Sequence, residues 1–235
     1  MNILITGASK GIGYETARLF AQNIENNVIA ISRDAERLEK LKIECAKENS
    51  NSKLYPIPFD ILSIGANKIL IKEKVLGLIP HIDILINNAG CLVNKTFSNL
   101  TQDDILQMAT VNFTGPTKLL QIFLPYMKKG SHIVNIGSMG GFQGSAKFAG
   151  LSVYSATKAA LANLTECLAE EYKDQGISFN CLALGAVNTE MLANAFPGFD
   201  APVSAQEMAK NIMHFAVNGN KFYNGKVIPV SLSTP

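Results

Sequence analysis

Apolar residues follow two alternating rhythms along this chain. Short aliphatic runs, such as Ile3-Leu4-Ile5, Val28-Ile29-Ala30-Ile31 and Ile84-Leu85-Ile86, are separated by longer stretches whose apolar positions recur every three or four residues. Consecutive rather than alternate apolar positions suit strands buried on both faces of a parallel sheet, and the periodic stretches suit crossover helices. The pattern predicts strands near 2–6, 27–32, 53–58, 82–87, 131–137, 177–184 and 226–230, with helices near 12–23, 35–49, 64–78, 101–128, 152–175 and 204–217. Seven strands joined by six helical segments imply an α/β, doubly wound, seven-stranded parallel sheet flanked by helices on both faces. Ligands of such a sheet sit outside the carboxyl ends of the strands, where strand order reverses. The stretch 185–203 contains Gly and Pro yet is apolar, which marks it as a candidate lid.

At 235 residues, 47% of them hydrophobic, the chain can bury one large core, so one domain over 1–235 is expected. The formal charge of +2 is spread along the sequence. No block of Lys and Arg marks a nucleic-acid footprint or an anionic membrane patch, and no apolar run approaches the length of a membrane span. Met1 to Ile5 leads almost directly into Gly7, with no room for a basic region and a leader's apolar stretch, so the expected compartment is the cytoplasm. Cys45, Cys91, Cys167 and Cys181 are isolated and the three histidines do not cluster with them. Reduced thiols and no metal site are expected.

The first predicted strand runs into Thr6-Gly7-Ala8-Ser9-Lys10-Gly11-Ile12-Gly13, and a helix pattern follows. Glycines at 7, 11 and 13 allow a tight turn, close main-chain approach to a pyrophosphate and close helix-to-strand packing, with the helix N-terminus facing the anion. The pattern predicts a Rossmann-type dinucleotide cradle and disfavours a nucleoside-triphosphatase loop, which would end in Gly-Lys-Ser/Thr. The second strand ends in Ser32-Arg33, where an NAD-preferring site would place an acidic residue for the ribose 2′-hydroxyl. Arg33 and Lys10 are positioned to converge on a 2′-phosphate, so NADP(H) is expected over NAD(H), with Asp34 one step beyond as the contrary sign.

Tyr154 and Lys158 stand four residues apart on one predicted helix, so their heads can meet on one face. A carbonyl that accepts hydride needs a proton donor, and an ordinary phenol of pKa about 10 is a weak acid near neutrality. An ammonium about 4 Å away contributes at most about 4 kcal/mol at an effective dielectric near 20, before desolvation is set against it, which predicts a more acidic Tyr154. Ser138 follows the strand Ile133 to Ile136 through Gly137, where its hydroxyl can reach a substrate oxygen. Asn112, close to Pro116, is expected to hold through its amide a water that links Lys158 to solvent.

Taken together, Thr6-Gly7-x-x-x-Gly11-Ile12-Gly13, Asp60, Asn87-Asn88-Ala89-Gly90, Asn112, Ser138, Tyr154 and Lys158 resemble the classical short-chain dehydrogenase/reductase family over nearly the whole chain. The resemblance implies an oxidoreductase that moves a hydride between a nicotinamide cofactor and a small carbonyl or alcohol. It assigns catalysis to Asn112, Ser138, Tyr154 and Lys158, with Lys158 also on the nicotinamide ribose. It assigns cofactor binding to Gly7, Ser9, Lys10, Gly11, Ile12, Gly13, Ser32, Arg33, Asp60, Ile61, Asn87, Ala89, Gly90, Tyr154, Lys158, Gly185, Val187 and Thr189. It also implies a homodimer or homotetramer through 101–128 and 152–175.

Two stretches depart from the family pattern. Ala183-Leu184-Gly185-Ala186-Val187-Asn188-Thr189 keeps the glycine and the threonine but lacks the usual proline, and Gly144 to Gly150 lengthens the interval between Ser138 and Tyr154. Leu92, Met139, Phe142, Met191 and Phe196 offer apolar surface for a ketone or a 3-oxoacyl thioester. Other readings are a catalytically silent nucleotide-binding regulator, an NAD(H)-preferring alcohol dehydrogenase of the same fold, and a nucleotide-sugar epimerase or dehydratase. The last generally carries a larger C-terminal region than a chain ending at Pro235.

Overall fold

A computed structural model describes residues 1–232. Seven strands, β1 (Asn2–Thr6), β2 (Asn27–Ser32), β3 (Lys53–Pro58), β4 (Ile82–Asn87), β5 (Met127–Ser138), β6 (Ser178–Leu184) and β7 (Lys226–Val230), form one sheet in the order β3-β2-β1-β4-β5-β6-β7. Every pairing is parallel. The order reverses between β1 and β4, and their carboxyl ends open the crevice in which a ligand of such a sheet sits.

The consecutive apolar runs have the cause inferred for them, since side chains of one strand alternate between two covered faces. Ile3, Ile5, Ala30, Ile86 and Leu182 pack under α1 (Gly11–Ala21), α2 (Ala35–Glu48) and α8 (Ala205–Asn218). Leu4, Ile29, Leu85, Ile133 and Phe179 pack under α3 (Lys68–Leu76), α5 (Gly115–Phe123) and α6 (Ser152–Glu171). Local chemistry sets the helix starts. Asp34 caps α2 by accepting from Arg37 N at 3.0 Å, while Thr101/Asp104 and Ser204/Glu207 form capping boxes on α4 (Gln102–Ala109) and α8.

The element pattern departs from expectation in three places. The helix expected over 101–128 is α4, a π-helical turn at Thr110–Thr114, α5, and a 3-10 turn at Leu124–Tyr126, after which Met127 already opens β5. Pro116 supplies no N–H, so the carbonyl of Asn112 four residues earlier has no α-helical donor there. The helix expected over 64–78 begins only at Lys68, behind a 3-10 turn at Ile61–Ser63 capped by Asp60. Within 185–203 a short helix forms, α7 (Glu190–Ala195).

Candidate functional site

The glycine turn between β1 and α1 is held from behind by the segment after β4. Gly7 has φ +69°, and a side chain there would sit 2.8 Å from the Ala89 Cα. Gly13 is tighter, because a Cβ would fall 2.3 Å from both the Gly7 carbonyl oxygen and the Asn88 Nδ2. That closeness lets Asn88 Nδ2 donate to the Thr6 and Gly7 carbonyls at 3.0 and 3.2 Å, while Thr6 Oγ1 accepts from the Asn88 and Ala89 amides at 3.1 Å each. Asn87 serves the sheet rather than the cleft. It is buried and donates to Asn135 Oδ1 at 2.8 Å, and Asn135 donates onward to Thr165 Oγ1 at 2.9 Å.

A cleft of about 840 Å³ opens in front of this turn. Gly7, Ser9, Lys10, Gly11 and Ile12 form one wall. Ser32 and Arg33 stand beside them, and Ser32 Oγ donates to Ser9 Oγ at 2.8 Å. Asp60, Ile61, Ala89 and Gly90 follow on the second side, and Gly185, Val187 and Thr189 on the third. Asp34 is committed elsewhere, as the cap of α2. Lys10 was expected to be free for a phosphate, but its ammonium donates to Glu190 at 2.9 Å.

Beyond Gly90 the cleft reaches a buried polar cluster. Tyr154 lies in the first turn of α6 and Ser138 ends β5, and both side chains line the same part of the cleft. Ser138 also caps the turn at Met139–Gly141, accepting from Gly140 N at 3.2 Å. Lys158 Nζ lies 5.9 Å from the Tyr154 ring centroid and donates to the Ile136 carbonyl at 2.8 Å.

The expected acidification of Tyr154 is not what this arrangement produces. Burial pushes the phenol above its ordinary pKa, with the neighbouring Ser138 hydroxyl pulling the other way. Burial also pulls the Lys158 ammonium down to about 8. A phenol above its ordinary value is protonated at neutrality, which is the state a proton donor needs.

Asn112 lies in the π-helical turn and is fully buried. Its amide meets protein partners. Oδ1 accepts from Cys91 N at 2.7 Å, and Nδ2 donates to the Cys91 carbonyl at 2.8 Å and to Thr157 Oγ1 at 3.0 Å. Asn112 thus fixes the chain immediately after Gly90, where an added Cβ would lie 3.7 Å from both Asn112 Oδ1 and Lys158 Nζ.

The far end is apolar. Leu92, Met139, Met191 and Phe196 line it, whereas Phe142 does not. Its place is taken by Leu151, Phe148 and Phe199, which the sequence pattern did not single out.

The short-chain dehydrogenase family model matches residues 1–198. This chain is a short-chain dehydrogenase/reductase. A ketoacyl reductase, HetN, of Nostoc sp. is 32% identical over 212 residues, covering 86% of this chain and 71% of the relative. A fatty acyl-CoA reductase of Acinetobacter baylyi is 30% identical over 220 residues, 91% and 72% of the respective chains. Among solved structures, a short chain dehydrogenase from Burkholderia cenocepacia in complex with NADP superposes with a TM-score of 0.86 at 26% identity, covering 97% of this chain and 95% of that one.

The residues present fit a nicotinamide dinucleotide. Gly7 and Gly13 stand where a Cβ would clash within the cradle, and the family's Tyr, Lys and Ser meet at its far end. Among the described residues no helix is long and apolar enough to cross a membrane.

Proposed function

We propose that this short-chain dehydrogenase/reductase uses NADP(H) in preference to NAD(H) to reduce a small apolar carbonyl, a ketone or a 3-oxoacyl thioester, acting as one catalytic and dinucleotide-binding unit. The observation that carries the reading is the meeting of Ser138, Tyr154 and the buried Lys158 in one cleft with an apolar end, Lys158 Nζ lying 5.9 Å from the Tyr154 ring centroid. When bound, the nicotinamide supplies the hydride.

The chain's own residues supply the rest. Gly7, Ser9, Gly11, Ile12 and Gly13 receive the pyrophosphate with main-chain N–H groups at the start of α1. Asp60 and Ile61 bound the adenine, and Ala89, Gly90, Gly185, Val187 and Thr189 hold the dinucleotide's remaining faces, with Asn87 bracing the sheet behind them. Ser32 and Arg33 meet a 2′-phosphate where no carboxylate competes from Asp34. Ser138 positions the substrate oxygen and Tyr154 gives it a proton. Lys158 orients the nicotinamide ribose, and Asn112 keeps the main chain at Cys91 in register with these groups.

The apolar walls and the two acyl reductases among the relatives support the substrate class. A shallow apolar groove lined by Phe97, Phe113, Val153 and Ala160 beside α4 and α6 supports self-association through those helices.

Tyr154→Phe tests the chemistry. Turnover of a ketone and acyl-thioester panel is expected to fall by about 10²- to 10⁴-fold, the range for loss of one acid/base group, while NADPH still binds. Retained turnover removes Tyr154 from the reaction.

A further inference from the structure

Three segments far apart in sequence meet at one carboxylate on the rim of the cleft. Glu190, the first residue of α7, accepts from Lys10 Nζ at 2.9 Å and from Arg37 Nη1 at 2.9 and 3.1 Å. Lys10 belongs to the glycine turn and Arg37 to the first turn of α2, where its Nε also lies 3.4 Å from Asp34. The three side chains are 44%, 45% and 53% exposed for Lys10, Arg37 and Glu190. Ion pairs of that exposure are individually weak and exchange readily for another anion.

The same carboxylate pins one end of a strap. The side chain of Thr189 lies against Gly11, where a Cβ would be 3.3 Å from its methyl group. At the other end of α7 the Ala195 carbonyl accepts from Asn94 Nδ2 at 2.8 Å. The short helix therefore crosses the cleft from the glycine turn to the loop after β4, tied on both sides.

Lys10 and Arg33 are the two cations expected to converge on a cofactor's 2′-phosphate, and both line the cleft together with Ser9 and Ser32. A carboxylate and a phosphate want the same donors, and a phosphate brings close to two negative charges. Both cannot occupy one ammonium without like-charge repulsion.

We propose that Glu190 is a cofactor-discriminating residue: its carboxylate is a resident occupant of Lys10 and Arg37 that the 2′-phosphate of NADP(H) displaces and that the 2′-hydroxyl of NAD(H) leaves in place. Phosphate binding then frees the glycine-turn end of the strap, whereas NAD(H) binds beneath a strap still pinned. The inference rests on the reading of this wall as the 2′-phosphate site. It goes beyond that reading by making discrimination a contest with a residue from the opposite side of the cleft.

The test is a titration of the whole protein with NADPH and with NADH, followed by the fluorescence of the reduced nicotinamide, for wild type, Glu190→Gln and Arg33→Ala. Glu190→Gln is expected to tighten NADPH by about fivefold, as befits removal of two exposed ion pairs, and to leave NADH within about twofold. Raising the ionic strength should shrink the NADPH gain. Equal changes for both cofactors, or weaker NADPH binding, overturn the proposal and make Glu190 a tether of the strap only. Arg33→Ala separates the proposal from the reading beneath it. If Arg33→Ala lowers the NADPH-to-NADH affinity ratio and Glu190→Gln leaves it fixed, the phosphate site stands and the displacement falls. If Glu190→Gln raises the ratio and Arg33→Ala does not lower it, the displacement stands and the role of Arg33 falls.

Discussion

The end of the cleft around the glycine turn is built from main chain and short polar side chains fixed by hydrogen bonds near 3 Å, whereas the end beyond Tyr154 is built from long apolar side chains carried largely on loops. At the first end the margin for change is a fraction of an ångström. At the second, Phe148 and Phe199 are about half exposed. The contrast separates two tasks within one cavity. Under the proposed function, the dinucleotide is met by a wall that cannot give, and the apolar substrate by surface that can repack.

Breaking the first wall should have the larger effect. In Gly13→Ala the new methyl falls 2.3 Å from a main-chain oxygen, so it cannot be absorbed by a side chain swinging away. The Asn88 amide must leave the Thr6 and Gly7 carbonyls or α1 must move off β1. An overpacked site of this kind loses about 1–3 kcal/mol of stability, and NADPH affinity should fall at least tenfold because the turn that shapes the cradle is displaced. Thermal melts and the NADPH titration measure both. Unaltered affinity would show that the turn tolerates displacement and that the two ends differ less than their geometry suggests.

The second wall should respond more gently and in a different parameter. Phe196→Ala removes an aromatic face from the apolar end without touching the cradle. KM for an apolar ketone is expected to rise by about tenfold, in keeping with partial loss of one buried aromatic contact, while NADPH affinity stays as it was. A loss of NADPH affinity of equal size would mean that the lid couples the two ends.

The same contrast explains what the sequence disclosed. The strands were legible because burial on both faces leaves an unbroken aliphatic run, and the glycine turn because Gly7, Gly11 and Gly13 are local to one connection. Tyr154 and Lys158 were legible because four residues of helix bring them to one side.

What depended on distant partners was not legible. The amide of Asn112 is spent on Cys91 and Thr157, and no local pattern around residue 112 says so. Glu190 meets Arg37 across 153 residues of chain. Phe142 and Phe148 are both aromatics of one loop, and only the fold decides which lines the cleft. The acidity of Tyr154 was misjudged for a related reason: spacing reports a neighbouring cation, but burial belongs to the tertiary structure, and burial is the larger effect here.

Lys158 offers the finest test, because it stands where the rigid and the adaptable ends meet and its burial sets stability against function. Lys158 is 4% exposed and its pKa is brought by burial from 10.5 to about 8. Between those values the unfolded chain holds a proton that the folded chain lacks, so stability rises with pH through that window and the full penalty is present at pH 7. The depression corresponds to about 3 kcal/mol at most, and Lys158→Met would relieve it while leaving the Ile136 carbonyl without its donor at a cost of about 1 kcal/mol. A net gain of about 1–2 kcal/mol should raise the melting temperature by about 3–6 °C at pH 7. The advantage should close as pH approaches 10, because the unfolded wild-type lysine then sheds its proton as the folded one already has, and the variant should have lost turnover at every pH. A variant no more stable than wild type at pH 7 would mean that the folded protein already compensates the buried charge.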